Sequence, residues 1–88
     1  MIEKSFTVTS ESGIHARPAT NLVQAATQFD ADVELVHKER TVNLKSIMGV
    51  LSLGITKGAV ITIKVNGTDE EKAMSTIEDT IRKEGLGE

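Results

Sequence analysis

The segment Gly13-Ile14-His15-Ala16-Arg17-Pro18-Ala19 sets one imidazole beside one guanidinium and the chain's single proline. Pro18 fits the first turn of a helix, where a missing N–H costs nothing, so His15 falls at or just before the helix start. The N–H groups of Ala16 and Arg17 then have no acceptor within the helix. Together with the positive end of the helix dipole they form a site for an anion. Arg17 adds a permanent charge whose fork suits phosphate oxygens. A neutral ring keeps a lone pair for attack on phosphorus, and the product anion would face the same N–H groups. A group that must leave again also requires an exposed ring. A lone histidine at a helix start is ordinarily a surface or capping residue; the neighbours single this one out.

Ser46 is the second candidate, within Val42-Asn43-Leu44-Lys45-Ser46-Ile47-Met48-Gly49-Val50. Serine is a favoured N-cap. A phosphoserine at a helix N-terminus is also electrostatically favoured, and the adjacent Lys45 is placed to share its charge. Cap and switch are compatible roles. The apolar run at residues 47–53 is expected to bury Val50, Leu53 and part of Ile47. Met48 and Leu51 would then lie partly outside, in a docking patch formed with Ile47, where methionine adapts to several surfaces. Thr20, Asn21 and Gln24 share the outward side of the first helix with Arg17 and would form a polar rim. His37 reads as a solvated residue at a strand end. No carboxylate spacing supports a His15–His37 metal site, so neither metal nor cofactor is expected.

These residues need elements to hold them. Residues 2–8 alternate, with Ile2, Phe6 and Val8 on one face. Lys4 falls on that face and is expected at the strand's outer end with its stem packed. A helix starts near Ala16, with Ala16, Ala19, Leu22, Val23 and Ala26 as its apolar stripe. Val33 and Leu35 mark a second strand, Val42 and Leu44 a third, joined as a hairpin through Lys38-Glu39. A short helix follows from Ser46. Residues 60–66 form a strand with Ile61, Ile63 and Val65 on one face, closed by Gly67. Thr68 and Glu71 have capping-box spacing. A last helix carries Met74, Ile77 and Ile81, with Gly85 as its C′ residue. The order β-α-β-β-α-β-α, with half-polar strands, predicts an α+β open-faced sandwich: a mainly antiparallel four-stranded sheet covered on one face by helices.

The 88 residues suffice for one domain. A chain this short buries only about 60–65% of its unfolded surface, which favours a shallow surface site over a deep catalytic cleft. Cysteine is absent, which removes disulfides and thiolate metal sites and suits a reducing cytoplasm. Neither a signal peptide nor a membrane-spanning segment is expected from these residues. A net charge of -3, with Phe6 and Phe29 as the only aromatics, argues against direct nucleic-acid binding. Mild acidity permits docking to basic partners, and a soluble monomer is the simplest expectation.

The two motifs resemble those of HPr, the histidine-containing phosphocarrier family of the bacterial phosphoenolpyruvate-dependent sugar phosphotransferase system, in its low-GC Gram-positive form. The likeness extends to Leu53-Gly54, to Lys57-Gly58-Ala59 and to the ending Glu84-Gly85-Leu86-Gly87-Glu88. The resemblance implies an open-faced sandwich and a non-enzymatic carrier. His15 would receive a phosphoryl group on Nδ1 from Enzyme I and give it to sugar-specific EIIA components. It also implies regulatory phosphorylation of Ser46 by HPr kinase/phosphorylase. That form would accept phosphate at His15 more slowly and bind the catabolite control protein. Purely regulatory relatives lack the active-site histidine, which is present here. Related chains often have Asn-Gly where this one has Lys38-Glu39, which leaves the turn type open.

Overall fold

The computed structural model describes residues 1–88. Its elements are β1 (Ile2–Thr7), α1 (Ala16–Thr27), β2 (Asp32–His37), β3 (Arg40–Asn43), α2 (Ile47–Leu51), β4 (Val60–Asn66) and α3 (Glu70–Lys83). The four strands form one sheet in the order β1-β4-β2-β3, and every pairing is antiparallel. This is the expected sandwich and element order, with the sheet wholly rather than mainly antiparallel.

Alternation decides which face is covered. Phe6 pairs with Ile61, and Leu35 pairs with both Ile63 and Val42. These residues point at the helices, which contribute Ala19, Leu22, Val23 and Ala26 from α1 and Met74, Ile77 and Ile81 from α3 to one core cluster. Each fully buried side chain of the size of Leu22 or Ile77 contributes about 1.5–3 kcal/mol. The opposite face is polar: Lys64 stands between Glu3 and Glu34, and Ser5 and Thr62 share a 3.0 Å hydroxyl contact. No helix is long and apolar enough to cross a membrane.

Four local expectations differ from the structure. Ala16 is exposed, while Pro18 and Ala25 join the buried stripe of α1. A helical Cβ leans toward the N-terminus, so at the first position it overhangs the helix end. Lys4 lies mid-strand and not at the outer end. It faces the helices, where its Nζ reaches Glu78 Oε1 of α3 at 2.9 Å. That hydrogen bond is the main reason the Glu78 carboxyl sits below the ordinary carboxylate range. The box expected at Thr68 and Glu71 does not form. The N-cap is Asp69, whose own helix receives no side-chain cap bond. Its carboxylate instead accepts the N–H groups of Asp30 and Ala31, both at 3.0 Å, while Glu70 Oε1 accepts from Gly67 N–H at 3.2 Å. Tertiary bonds to the loop after α1 thus displaced a local motif.

The fourth difference is His37, which is buried at 8% exposure rather than solvated. The strand continues through it, and a period of two places it with Val33 and Leu35 on the covered face. There it lies opposite Ile61 and lines a groove together with Leu53, Gly54 and Thr56. The hairpin beyond it is a two-residue loop, closed by the His37–Arg40 pair. Lys38 is the only non-glycine residue at positive φ, 57°. At the other end of the chain α3 closes as expected. Gly85 N–H donates to Arg82 and Leu86 N–H to Ile81, the double bond pattern of a Schellman cap.

Candidate functional site

His15 is the N-cap residue of α1, in extended backbone (φ -99°, ψ -169°). Its carbonyl accepts the Ala19 N–H at 3.0 Å, so the helix begins there, yet its ring makes no capping bond and is exposed. Ala16 and Arg17 are exposed as well. Their N–H groups fall in the first turn, without a carbonyl one turn earlier to receive them. Arg17 takes part in no ion pair.

The chain before the ring is fixed on both sides. Ile14 is buried, and its N–H donates to Ile55 O at 3.1 Å. Gly13, at φ 66°, lies so close to Ile55 O that no Cβ could stand there. Thr9 N–H and Ser10 N–H both donate to Leu86 O, at 2.8 and 3.3 Å. His15 therefore projects from a backbone held by the segment after α2 and by the C-terminal tail.

A shallow cleft runs beside the ring, lined by Ser10, His15, Arg17, Pro18, Asn21, Lys83, Glu84 and Leu86. Lys83 and Glu84 were not identified from the sequence. The only local signal there was Gly85, which marks where α3 ends and not what it ends against. Of the expected rim residues, Asn21 is half-buried and its Nδ2 donates to Glu84 Oε1 at 2.6 Å. It is thus tied across the cleft. Thr20 Oγ1 donates to Ala16 O at 2.8 Å, and Gln24 is exposed.

Ser46 is the N-cap of α2, and its Oγ accepts the Gly49 N–H at 3.1 Å. Lys45 does not turn toward it: Lys45 Nζ donates to Phe29 O at 2.8 Å. Phe29 follows the last turn of α1, whereas Ile55, after α2, touches the chain just before α1. The two helices therefore run in opposite senses. Ser46 lies toward the far end of α1, whose 12 residues span about 18 Å, so the structure does not bring Ser46 and His15 together. On α2, Val50 is buried at 1% and Met48 exposed at 77%, with Ile47 at 38% and Leu51 half-buried. The expected division between buried and outward positions holds.

An unbonded ring at a helix start thus stands beside two first-turn amides and a guanidinium that is in no ion pair, an arrangement that can receive an anion. The family model described as "PTS HPr component phosphorylation site" matches residues 2–83. The chain belongs to the HPr family. It is similar in structure to a histidine-containing phosphocarrier protein from Mycoplasma, with 34% identity, 99% of each chain covered and a TM-score of 0.97. It is similar to phosphocarrier protein HPr from Bacillus anthracis, with 40% identity, 90% of this chain and 94% of that one covered and a TM-score of 0.83. It is also similar to Crh of Bacillus subtilis, a catabolite repression protein described as a swapped dimer, with 36% identity, 96% and 97% covered and a TM-score of 0.74. HPr proteins are phosphocarriers of the phosphotransferase system, and that coarse role holds for this chain.

Proposed function

We propose that this HPr protein takes a phosphoryl group from phospho-Enzyme I on His15 and delivers it to EIIA components in the cytoplasm, as a single-domain monomer. The observation that carries this is the exposed His15 ring, which caps nothing at the start of α1. In the transfer, the Nδ1 lone pair attacks phosphorus, and the bond from phosphorus to the donor breaks as the new P–N bond forms. The amides of Ala16 and Arg17 and the Arg17 guanidinium receive the charged oxygens. The same steps in reverse order hand the group on. Ile47, Met48 and Leu51, with Gln24 and Thr20 nearby, supply the surface on which successive partners dock.

Ser46 serves as the regulatory phosphosite for HPr kinase/phosphorylase, and the phosphorylated form engages the catabolite control protein. Distance argues that phospho-Ser46 opposes His15 chemistry through the shared docking surface rather than by touching the ring. Phosphorylation would also take over the hydroxyl that now accepts Gly49 N–H and offer Lys45 an anion in place of Phe29 O. A second reading, a regulatory binding module acting through phospho-Ser46 alone, draws on the likeness to Crh. The presence of His15 favours the carrier.

The test uses Enzyme I and labelled phosphoenolpyruvate, followed by an acid challenge. Phosphohistidine is acid-labile and phosphoserine is not. The wild-type protein should carry acid-labile label, and His15→Ala should carry none. Normal labelling of that variant overturns the assignment.

A further inference from the structure

On the carrier reading above, the cleft beside His15 already holds a competitor for the phosphoryl group's place. Glu84 closes α3, where the negative end of the helix dipole disfavours a carboxylate left without a partner. Two cations line the same cleft, Arg17 and Lys83. Neither is in an ion pair. Glu84 Oε1 instead accepts from Asn21 Nδ2 at 2.6 Å. Asn21 stands one turn after Arg17 on α1, on the same side of the helix.

We propose that Asn21 is a positioning residue for phosphoryl transfer: it moors the Glu84 carboxylate and so leaves the Arg17 guanidinium free for phosphate oxygens. An amide suits this task. It satisfies one carboxylate oxygen through a charge-assisted hydrogen bond and adds no further cation to hold the phosphoryl group back when it must leave. The moored carboxylate keeps its negative charge beside the cleft, which opposes a phosphate that lingers.

Asn21→Ala releases Glu84, which then pairs with Arg17. The rate of phosphoryl transfer from phospho-Enzyme I should fall by about 1.5- to fivefold, the range that an exposed ion pair spans. Glu84→Gln added to Asn21→Ala should restore it close to the wild-type value. In the isolated protein, the NMR signal of the Arg17 Nε–H should shift in Asn21→Ala and return in the double variant, which requires no Enzyme I. An unchanged rate in Asn21→Ala overturns the mooring role. So does a slowing that Glu84→Gln does not reverse, because Asn21 would then touch the partner or support the fold. Wild-type protein without acid-labile label would overturn the carrier reading instead, and the NMR shifts would still decide the mooring on their own.

Discussion

α1 and α2 both open from a residue in extended backbone, His15 at φ -99° and Ser46 at φ -113°. They treat their first amides in opposite ways. Ser46 folds its hydroxyl back onto Gly49 N–H, so α2 is satisfied from within. His15 turns its ring to solvent and caps nothing, so α1 forgoes about 1 kcal/mol that a serine, threonine, asparagine or aspartate would supply. On the proposed function, the contrast separates a helix start used for structure from one left open for an anion that arrives and departs. A capped start can acquire a charge only by covalent modification of the cap itself.

Exchange of the cap types gives the strongest test of this contrast. His15→Ser should remove all acid-labile label and at the same time stabilise the protein by about 1 kcal/mol. For a domain of this size that raises the melting temperature by about 4–8 °C, readable by calorimetry. A fall would mean that the first-turn amides of α1 are not open. Ser46→Ala is the reciprocal change. It should cost about 1 kcal/mol in urea unfolding while His15 remains able to take label; Ser46→Asp, which can still cap, should recover most of the loss. A Ser46→Ala variant as stable as wild type would erase the distinction between the two helix starts. Met48→Asp probes the surface that follows the capped start. With the side chain 77% exposed, the stability change should stay within about 0.5 kcal/mol, while calorimetric titration with Enzyme I shows weaker binding. A large drop in melting temperature would make Met48 part of the core.

The smallest effect concerns the third helix start. Glu70 lies below the ordinary carboxylate range, first because the Met1 amine hydrogen-bonds to it and next because Gly67 N–H does. A carboxyl lowered in this way stabilises the fold fully above its unfolded value. It loses that contribution as pH falls through the folded one. Urea midpoints followed into the acid range should therefore drop less steeply in Glu70→Gln than in wild type. Parallel curves would show that the bonds at Glu70 do not bear on folding.

Much of this was legible in the sequence, because it depends on periods and caps. Ile61, Ile63 and Val65 announce a strand, Pro18 fixes the start of α1, and Ser46 reads as a cap. The position of His15 follows from Pro18 alone. What the sequence concealed depends on contacts between distant segments. Thr68 and Glu71 look like a capping box, yet the helix opens from Asp69, which spends its carboxylate on Asp30 and Ala31. Lys45 looks like a neighbour for Ser46, and its long stem reaches Phe29. Asn21 looks like solvent-facing rim until Glu84, 63 positions later, arrives beside it. His37 escaped because the charged Lys38-Glu39 turn suggested exposure, while the strand carried its ring to the covered face.

The C-terminal tail has a consequence for how the protein matures. Thr7 and Glu88 exchange two backbone bonds, and Leu86 O holds Thr9 and Ser10. The stretch leading to His15 is synthesised early, but its final shape waits for residues 86–88. A nascent chain still lacking them would display the imidazole on a backbone without these bonds, so the segment before His15 sets only after residues 86–88 have joined it.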